Sequence, residues 1–250
     1  MEGSLKRIVT LSKRNAKEIV RDPLSLLFMT GLPLLLEILF YFIFHSMTSQ
    51  FDMKYLAPGI AVFAQSFTTL FAGLLIAVDR GTSFLTRLYV SKARSYEFIL
   101  SYMAALLPFT FVQAVLFFVV GGIIDPGFWS FSMIPAVFLC MVVALFFIGA
   151  GILIGSVCNE KSIGGVASIL IAGQSLLSGM WFPVEGLQGT MLNIMDALPF
   201  RNATQLIQHA VNGYGDLFGD IIRPLLIVLG YTVAVFVVAV WLFKRQMKKA

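Results

Sequence analysis

Six stretches of this chain hold almost no charge over a length that matches the hydrocarbon core of a bilayer: 24–44, 55–78, 99–124, 132–157, 163–182 and 224–243. About 20 consecutive apolar residues suffice for a helix to cross about 30 Å of lipid. The one formally charged side chain inside the six runs is Glu37. In lipid every backbone polar group must be satisfied within the protein, so only helices and closed barrels can span. A barrel would alternate in polarity over segments of about ten residues, and these runs do not. The chain is 58% hydrophobic and only 12% charged, where a soluble domain carries about 25% charged residues. A water-soluble fold of this size has too much surface for its volume to hide so much apolar area. The expectation is therefore an all-α integral membrane protein, one domain over 1–250, with six transmembrane helices.

Orientation follows from lysine and arginine, which stay on the cytoplasmic side. Lys6, Arg7, Lys13, Arg14, Lys17 and Arg21 precede the first run; Arg80, Arg87, Lys92 and Arg94 follow the second; Lys161 follows the fourth; Lys244, Arg245, Lys248 and Lys249 end the chain. The other side has Lys54, Arg201 and Arg223, with the acids Asp52, Asp125, Glu185, Asp196, Asp216 and Asp220. Both termini are expected in the cytoplasm, in a multi-pass protein of the inner (cytoplasmic) cell membrane, and six crossings satisfy that parity. The first run is longer than the apolar core of a signal peptide, about 7–15 residues, so it is expected to remain as an anchor.

Three segments outside the runs carry a pattern. In 1–22, Leu5, Ile8, Val9, Ala16, Ile19 and Val20 recur at helical spacing with bases on other faces, which reads as an amphipathic helix in the membrane interface. Asp22-Pro23 then turns the chain into the bilayer. Segment 79–98 opens on Asp79-Arg80-Gly81-Thr82, a break with an N-cap at Thr82 or Ser83, and continues to Phe84, Leu85 and Leu88 on a short helix, an apolar patch that wants a partner surface. Segment 183–222 is rich in glycine and proline, yet 191–198 and 203–211 are apolar enough to dip into the membrane as short external re-entrant helices between the fifth and sixth spans. Such backbone is tolerated at that depth only when buried in protein.

The sequence has no G-x-x-x-x-G-K-[ST] phosphate loop, since Glu160 precedes Lys161-Ser162, no H-E-x-x-H and no G-x-S-x-G. Two histidines cannot form a metal cluster, and Gly213-Tyr214-Gly215-Asp216 lacks the second intramembrane aspartate that a G-x-G-D protease needs. No catalytic, metal or cofactor residue is expected on this chain. Within the membrane, Glu37 is the natural suspect, because a charge at mid-bilayer costs about 2.5–3.5 kcal/mol on insertion scales. Tyr41, one turn on, is placed to hydrogen-bond it. Gln65 with Thr69, and Gln174 with Ser178, form two further polar pairs at four-residue spacing. These six residues read either as the lining of a substrate path or as interhelical glue. Gly151 and Gly155 make a G-x-x-x-G face for close helix packing.

The order of these parts resembles the membrane subunit of type-2 ABC exporters, a family that includes multidrug, antibiotic-resistance and polysaccharide exporters. The likeness is carried by the leader ending Arg21-Asp22-Pro23, by Asp79-Arg80-Gly81-Thr82 followed by Arg87-Leu88, and by Leu177-Ser178-Gly179, Phe182-Pro183, Glu185 and Leu198-Pro199. The resemblance implies two six-helix subunits, in a homodimer or heterodimer, and a pair of separate ATPase subunits that bind ATP and magnesium. Asp79, Arg80, Gly81, Thr82, Phe84, Leu85, Arg87 and Leu88 would then form the main coupling helix, Glu160 and Lys161 a second ATPase contact, and 1–22 the elbow helix. Cargo, an amphipathic or lipid-like compound, would move along the subunit interface near the first, second and fifth helices, and no nucleic acid is involved. Two other readings stand beside this one: an ion-coupled carrier or channel with Glu37 as its proton site, and an assembly or immunity protein without transport.

Overall fold

The computed structural model describes residues 2–81, 95–182, 184 and 189–247. Among them every regular element is a helix: α1 (Glu2–Val20), α2 (Pro23–Phe44), α3 (Met53–Gly81), α4 (Ser95–Ile124), α5 (Met133–Val157), α6 (Glu160–Leu177), α7 (Thr190–Ala197), α8 (Pro199–Asn212) and α9 (Arg223–Met247), with short 3-10 and π turns between and within them. Five stretches are long and apolar enough to cross a membrane: α2, α3, Tyr96–Ile124 of α4, α5, and Leu217–Arg245 of α9 with the π turn before it.

Helix α3 is the axis of the bundle. It packs against α5 most extensively and also against α2, α4, α6 and α8. Its buried face supplies Leu56, Ile60, Val62 and Ala64 to a core completed by Phe117 of α4, Phe147 of α5, Leu206 and Ile207 of α8 and Val228 of α9. A second cluster at the end nearer α1 joins Ile76 of α3, Phe98, Tyr102 and Leu106 of α4, Ile148 and Ile152 of α5 and Phe243 of α9. Apolar side chains also cover the outside: Leu27, Phe28, Leu35 and Phe42 of α2, Ile134 and Phe138 of α5, and Val233, Val237 and Trp241 of α9 are exposed. An apolar exterior of that extent suits lipid or a partner helix and not water.

The approach of α5 to α3 is set by glycine. A Cβ on Gly151 would press into the Thr69 carbonyl oxygen and lie 2.6 Å from the Ala72 Cβ; one on Gly155 would lie 2.5 Å from the Gly73 carbonyl oxygen. The G-x-x-x-G face thus packs within the chain, backbone on backbone, and Thr69 adds a hydroxyl hydrogen bond to the Phe147 carbonyl at 3.1 Å.

Two prolines inside spanning helices leave carbonyls for other helices to satisfy. Pro58 of α3 has no N–H for the carbonyl four residues back, and Asn212 of α8 donates its amide to that Lys54 oxygen at 2.8 Å. Pro33 of α2 has none for Met29, which sits in the π turn Leu27–Gly31, and Gln113 of α4 donates to the Met29 oxygen at 2.7 Å. Water cannot do this in the interior of a bilayer, so at Met29 the buried amide of Gln113 takes its place, whereas the Asn212 bond lies at the exposed end of α3.

The boundaries differ from the apolar runs in two instructive places. Of the expected break at Asp79-Arg80-Gly81-Thr82, the first three residues are helical in α3, where both charged side chains have partners, and Thr82 lies outside the described residues. The run 163–182 becomes a helix that starts at Glu160 and stops at Leu177. It is capped at its start by Asn159, whose side chain accepts from the Ser162 N–H at 3.0 Å. Ser178 leads out into Gly179, which takes a φ of +71° in the left-handed region that favours glycine.

Candidate functional site

At the basic end of the bundle, α1 is bolted to the last turn of α3 and the first turns of α4. Arg14 donates two hydrogen bonds to Asp79, at 2.7 Å to Oδ2 and 2.5 Å to Oδ1. The Tyr102 hydroxyl of α4 donates to the same carboxylate at 2.6 Å. One turn along α1 the guanidinium of Arg14 also meets Glu18 at 2.6 Å, and Asn15 reaches the Ser101 hydroxyl at 3.5 Å. Nearer the start of α1, Arg7 binds Glu97 of α4 with its Nε at 2.9 Å and an Nη at 2.8 Å, and Ser4 adds a hydroxyl at 2.5 Å.

The acids in this arrangement are the buried partners. The Asp79 and Glu97 side chains are 2% and 0% exposed, against 30% and 43% for Arg14 and Arg7. Burying a carboxylate is tolerable only with a full set of charge-assisted hydrogen bonds, and the planar guanidinium fork supplies two at once. The hydrogen bonds to Asp79 push the Arg14 pKa further above its already high value, and those to Glu97 do the same for Arg7. Burial raises the pKa of Glu18. The arrangement places one helix, α1, on both ends of the segment that joins α3 to α4.

Arg80 faces the other way. It donates to the carbonyl oxygens of Gly155 and Cys158 at 2.8 and 3.2 Å, where α5 ends with unsatisfied carbonyls and the negative end of its dipole. Arg80 and Gly81 line a cavity of about 480 Å³ with Glu160 and Lys161, both exposed at the start of α6. Four of the expected coupling residues, Arg80, Gly81, Glu160 and Lys161, therefore share one hollow, while Asp79 belongs to the clamp. Thr82, Phe84, Leu85, Arg87 and Leu88 lie outside the described residues.

The six polar residues within the spans do not form one continuous lining. Glu37 is fully buried on α2, and neither of its oxygens has a hydrogen-bond partner. Tyr41 does not bond it; its ring stacks on His45 at 4.5 Å instead, which is where the expectation of a Glu37–Tyr41 hydrogen bond fails. Gln65 is buried beside Cys140 of α5, and Thr69 is spent on the Phe147 carbonyl. Gln174 of α6 donates to Thr204 of α8 at 3.1 Å. Ser178 accepts from the Met180 N–H at 3.2 Å and lies at the rim of a cavity of about 450 Å³ at the far end.

That far cavity is polar. Gln50, Arg201, Gln205, Gln208 and His209 line it, and α8 forms much of its wall. Asp216, the acid of the G-x-G-D string, caps the π turn Leu217–Ile222 by accepting from the Phe218 and Gly219 N–H groups at 3.1 and 2.9 Å. The clamp residues Arg7, Arg14, Glu97 and Tyr102, and the carbonyl donors Gln113 and Asn212, were not singled out by sequence reasoning. An acid just inside each end of the loop between the second and third runs is the one signal that could have pointed to a basic partner.

A sequence profile of the ABC-2 type transporter matches residues 6–211, which takes in Arg7, Arg14, Asp79, Glu97 and Tyr102 of the clamp, the hollow at the basic end and four of the five helices fit to cross a membrane. No curated protein matches the chain. With a match over most of its length and an all-helical bundle holding five helices fit to cross a membrane, the chain is a multi-pass membrane component of a transporter and belongs to the ABC-2 type transporter family.

Proposed function

We propose that this chain is the permease subunit of an ATP-driven exporter, powered by a separate ATPase that docks at the end carrying α1. Family membership supports the class. The observation that carries the mechanism is the clamp: α1 grips Asp79 at the end of α3 and Glu97 and Tyr102 at the start of α4. A push on the segment 79–98 would be delivered to α1, α3 and α4 together and would tilt them as a unit. Rigid-body movement about packed interfaces is how such two-state gates work. The hollow of Arg80, Gly81, Glu160 and Lys161 is the second docking contact. ATP and magnesium belong to the ATPase, and a second permease subunit completes the path.

In this reading α1 is the elbow helix lying in the cytoplasmic interface, with its exposed Leu5 and Val9 in the lipid. Both termini are cytoplasmic, in the inner membrane. Helix α6, 18 residues long and so about 27 Å at 1.5 Å per residue, is the sixth crossing that this parity needs. Helices α7 and α8 are the external re-entrant pair. The test is efflux of an amphipathic dye from vesicles that hold the chain with its neighbouring ATPase. Loss of ATP-driven efflux on deleting 84–88 supports the coupling role; undiminished efflux and ATPase binding sink it.

The buried, unpartnered Glu37 favours one other reading, a carrier that uses it as a proton site. Transport driven by a pH gradient without ATP, lost in Glu37→Gln, would establish that reading in place of ours.

A further inference from the structure

Where α1 turns into α2, a cavity of about 320 Å³ opens between these helices and α3. Its walls are apolar, with Met29 from α2 and Phe71, Leu75 and Val78 from α3. Its charged lining residues are two carboxylates, Glu18 and Asp22, four positions apart across the corner. No base lines it among the described residues. Around Glu18 the fields of Asp79, Arg14 and Arg21 also act, so with Asp22 three carboxylates face two guanidinium groups, and Arg14 is held by Asp79 as well as by Glu18. Asp22 accepts from the Ser25 backbone N–H and hydroxyl, which leaves its outer lone pairs free.

The α2 wall continues inward. Met29, Pro33 and Glu37 are the buried residues of this helix, each four positions from the last, so they share one face. Glu37 is fully buried and neither oxygen is bonded. The cavity's own lining ends on this face at Met29, and Pro33 and Glu37 lie beyond it. Acidic groups set against apolar surface, with no lining base, suit a cation that carries its own apolar chain and disfavour an anionic head group. A volume of about 320 Å³ is at the low end for small-molecule sites, roughly 300–1,000 Å³, which suits a single-chain compound better than a two-chain lipid.

We infer that the cavity is a binding site for a single-chain amphiphile with an ammonium head, held with its head at Glu18 and Asp22 and its chain against Met29, Phe71 and Val78. This names the cargo class of the exporter and rests on that reading. The test uses the full chain in phosphatidylcholine nanodiscs with two photoactivatable probes of equal chain length, an alkyltrimethylammonium and an alkyl sulfate, and maps the adducts by mass spectrometry. The ammonium probe labels the peptides that carry Met29 and Phe71, and the sulfate labels them about tenfold less, the ratio that a tenfold difference in affinity gives at low occupancy. Asp22→Asn, which keeps a side chain able to cap α2, combined with Glu18→Gln, removes that preference.

Equal labelling by the two heads, labelling elsewhere, or a preference that survives the double variant overturns the inference. Displacement of the probe by added phosphatidylethanolamine assigns the ammonium to the bilayer's own lipid and overturns the cargo class. ATP-driven efflux, measured on the same preparation with the ATPase, separates the two claims. Failed labelling with efflux intact removes the cargo class alone, and specific labelling without ATP-driven efflux keeps the site and removes the exporter reading.

Discussion

Arg14 and Asp79 stand 65 positions apart in the sequence and are joined by two hydrogen bonds of 2.7 and 2.5 Å, with the carboxylate buried. Removing the guanidinium strands a buried charge, which typically costs about 3–5 kcal/mol. Arg14→Ala is expected to lose that much stability in a denaturant or thermal series on the detergent-solubilised protein. Arg14→Lys keeps the charge but not the two-pronged geometry, and should fall between the two. A loss under about 0.5 kcal/mol in Arg14→Ala would mean that the pair is not held in solution.

Tyr102 donates the third hydrogen bond to Asp79, at 2.6 Å. Hydrogen bonds to charged groups are worth about 1.5–3 kcal/mol, so Tyr102→Phe should lose about that much. In the Asp79→Ala background the same change should be nearly neutral. A double-mutant cycle measures this directly, and additive losses would show that the two side chains do not interact.

The contact between α3 and α5 has no room for a methyl group. Gly151→Ala is expected to destabilise by about 1–3 kcal/mol, the usual cost of overpacking, because its Cβ meets backbone and not a side chain that can swing away. Gly165→Ala meets nothing within 4 Å and should be neutral or slightly stabilising, since glycine in a helix costs roughly 0.5–1 kcal/mol relative to alanine. Thermal melts of the two variants side by side check the contrast.

Gln113 satisfies the Met29 carbonyl that Pro33 cannot reach. Gln113→Ala leaves that oxygen without a donor inside the protein, a loss of about 1–3 kcal/mol. Adding Pro33→Ala returns a backbone N–H to α2 and should recover part of it. If the second change makes the first worse, the carbonyl is not what Gln113 supports.

These predictions rest on contacts that the sequence could not disclose. The lengths of the apolar runs locate five helices fit to cross a membrane, because a bilayer allows few alternatives to a helix of that length. They do not reveal which charge meets which, since Arg7–Glu97 and Arg14–Asp79 are paired by the folded arrangement of three helices. Asp79 and Arg80 read as a break because two charges at the end of an apolar run are costly alone; with Arg14, Tyr102 and the end of α5 as partners, the helix continues to Gly81. Tyr41 has the right spacing to reach Glu37, yet its ring is committed to His45. The run 163–182 carries no mark of where its helix stops, because the positive φ of Gly179 is a backbone feature that composition does not record.

The central claim is that the clamp between Arg14 and Asp79 transmits the ATPase stroke to the membrane helices. It is tested most directly by efflux per ATP hydrolysed, in proteoliposomes that hold this chain with its ATPase, for the parent, Arg14→Asp, and Arg14→Asp with Asp79→Arg. We expect the ratio to collapse in the single variant while hydrolysis continues, and to recover in the charge-swapped double variant. A ratio unchanged by Arg14→Asp would contradict the account.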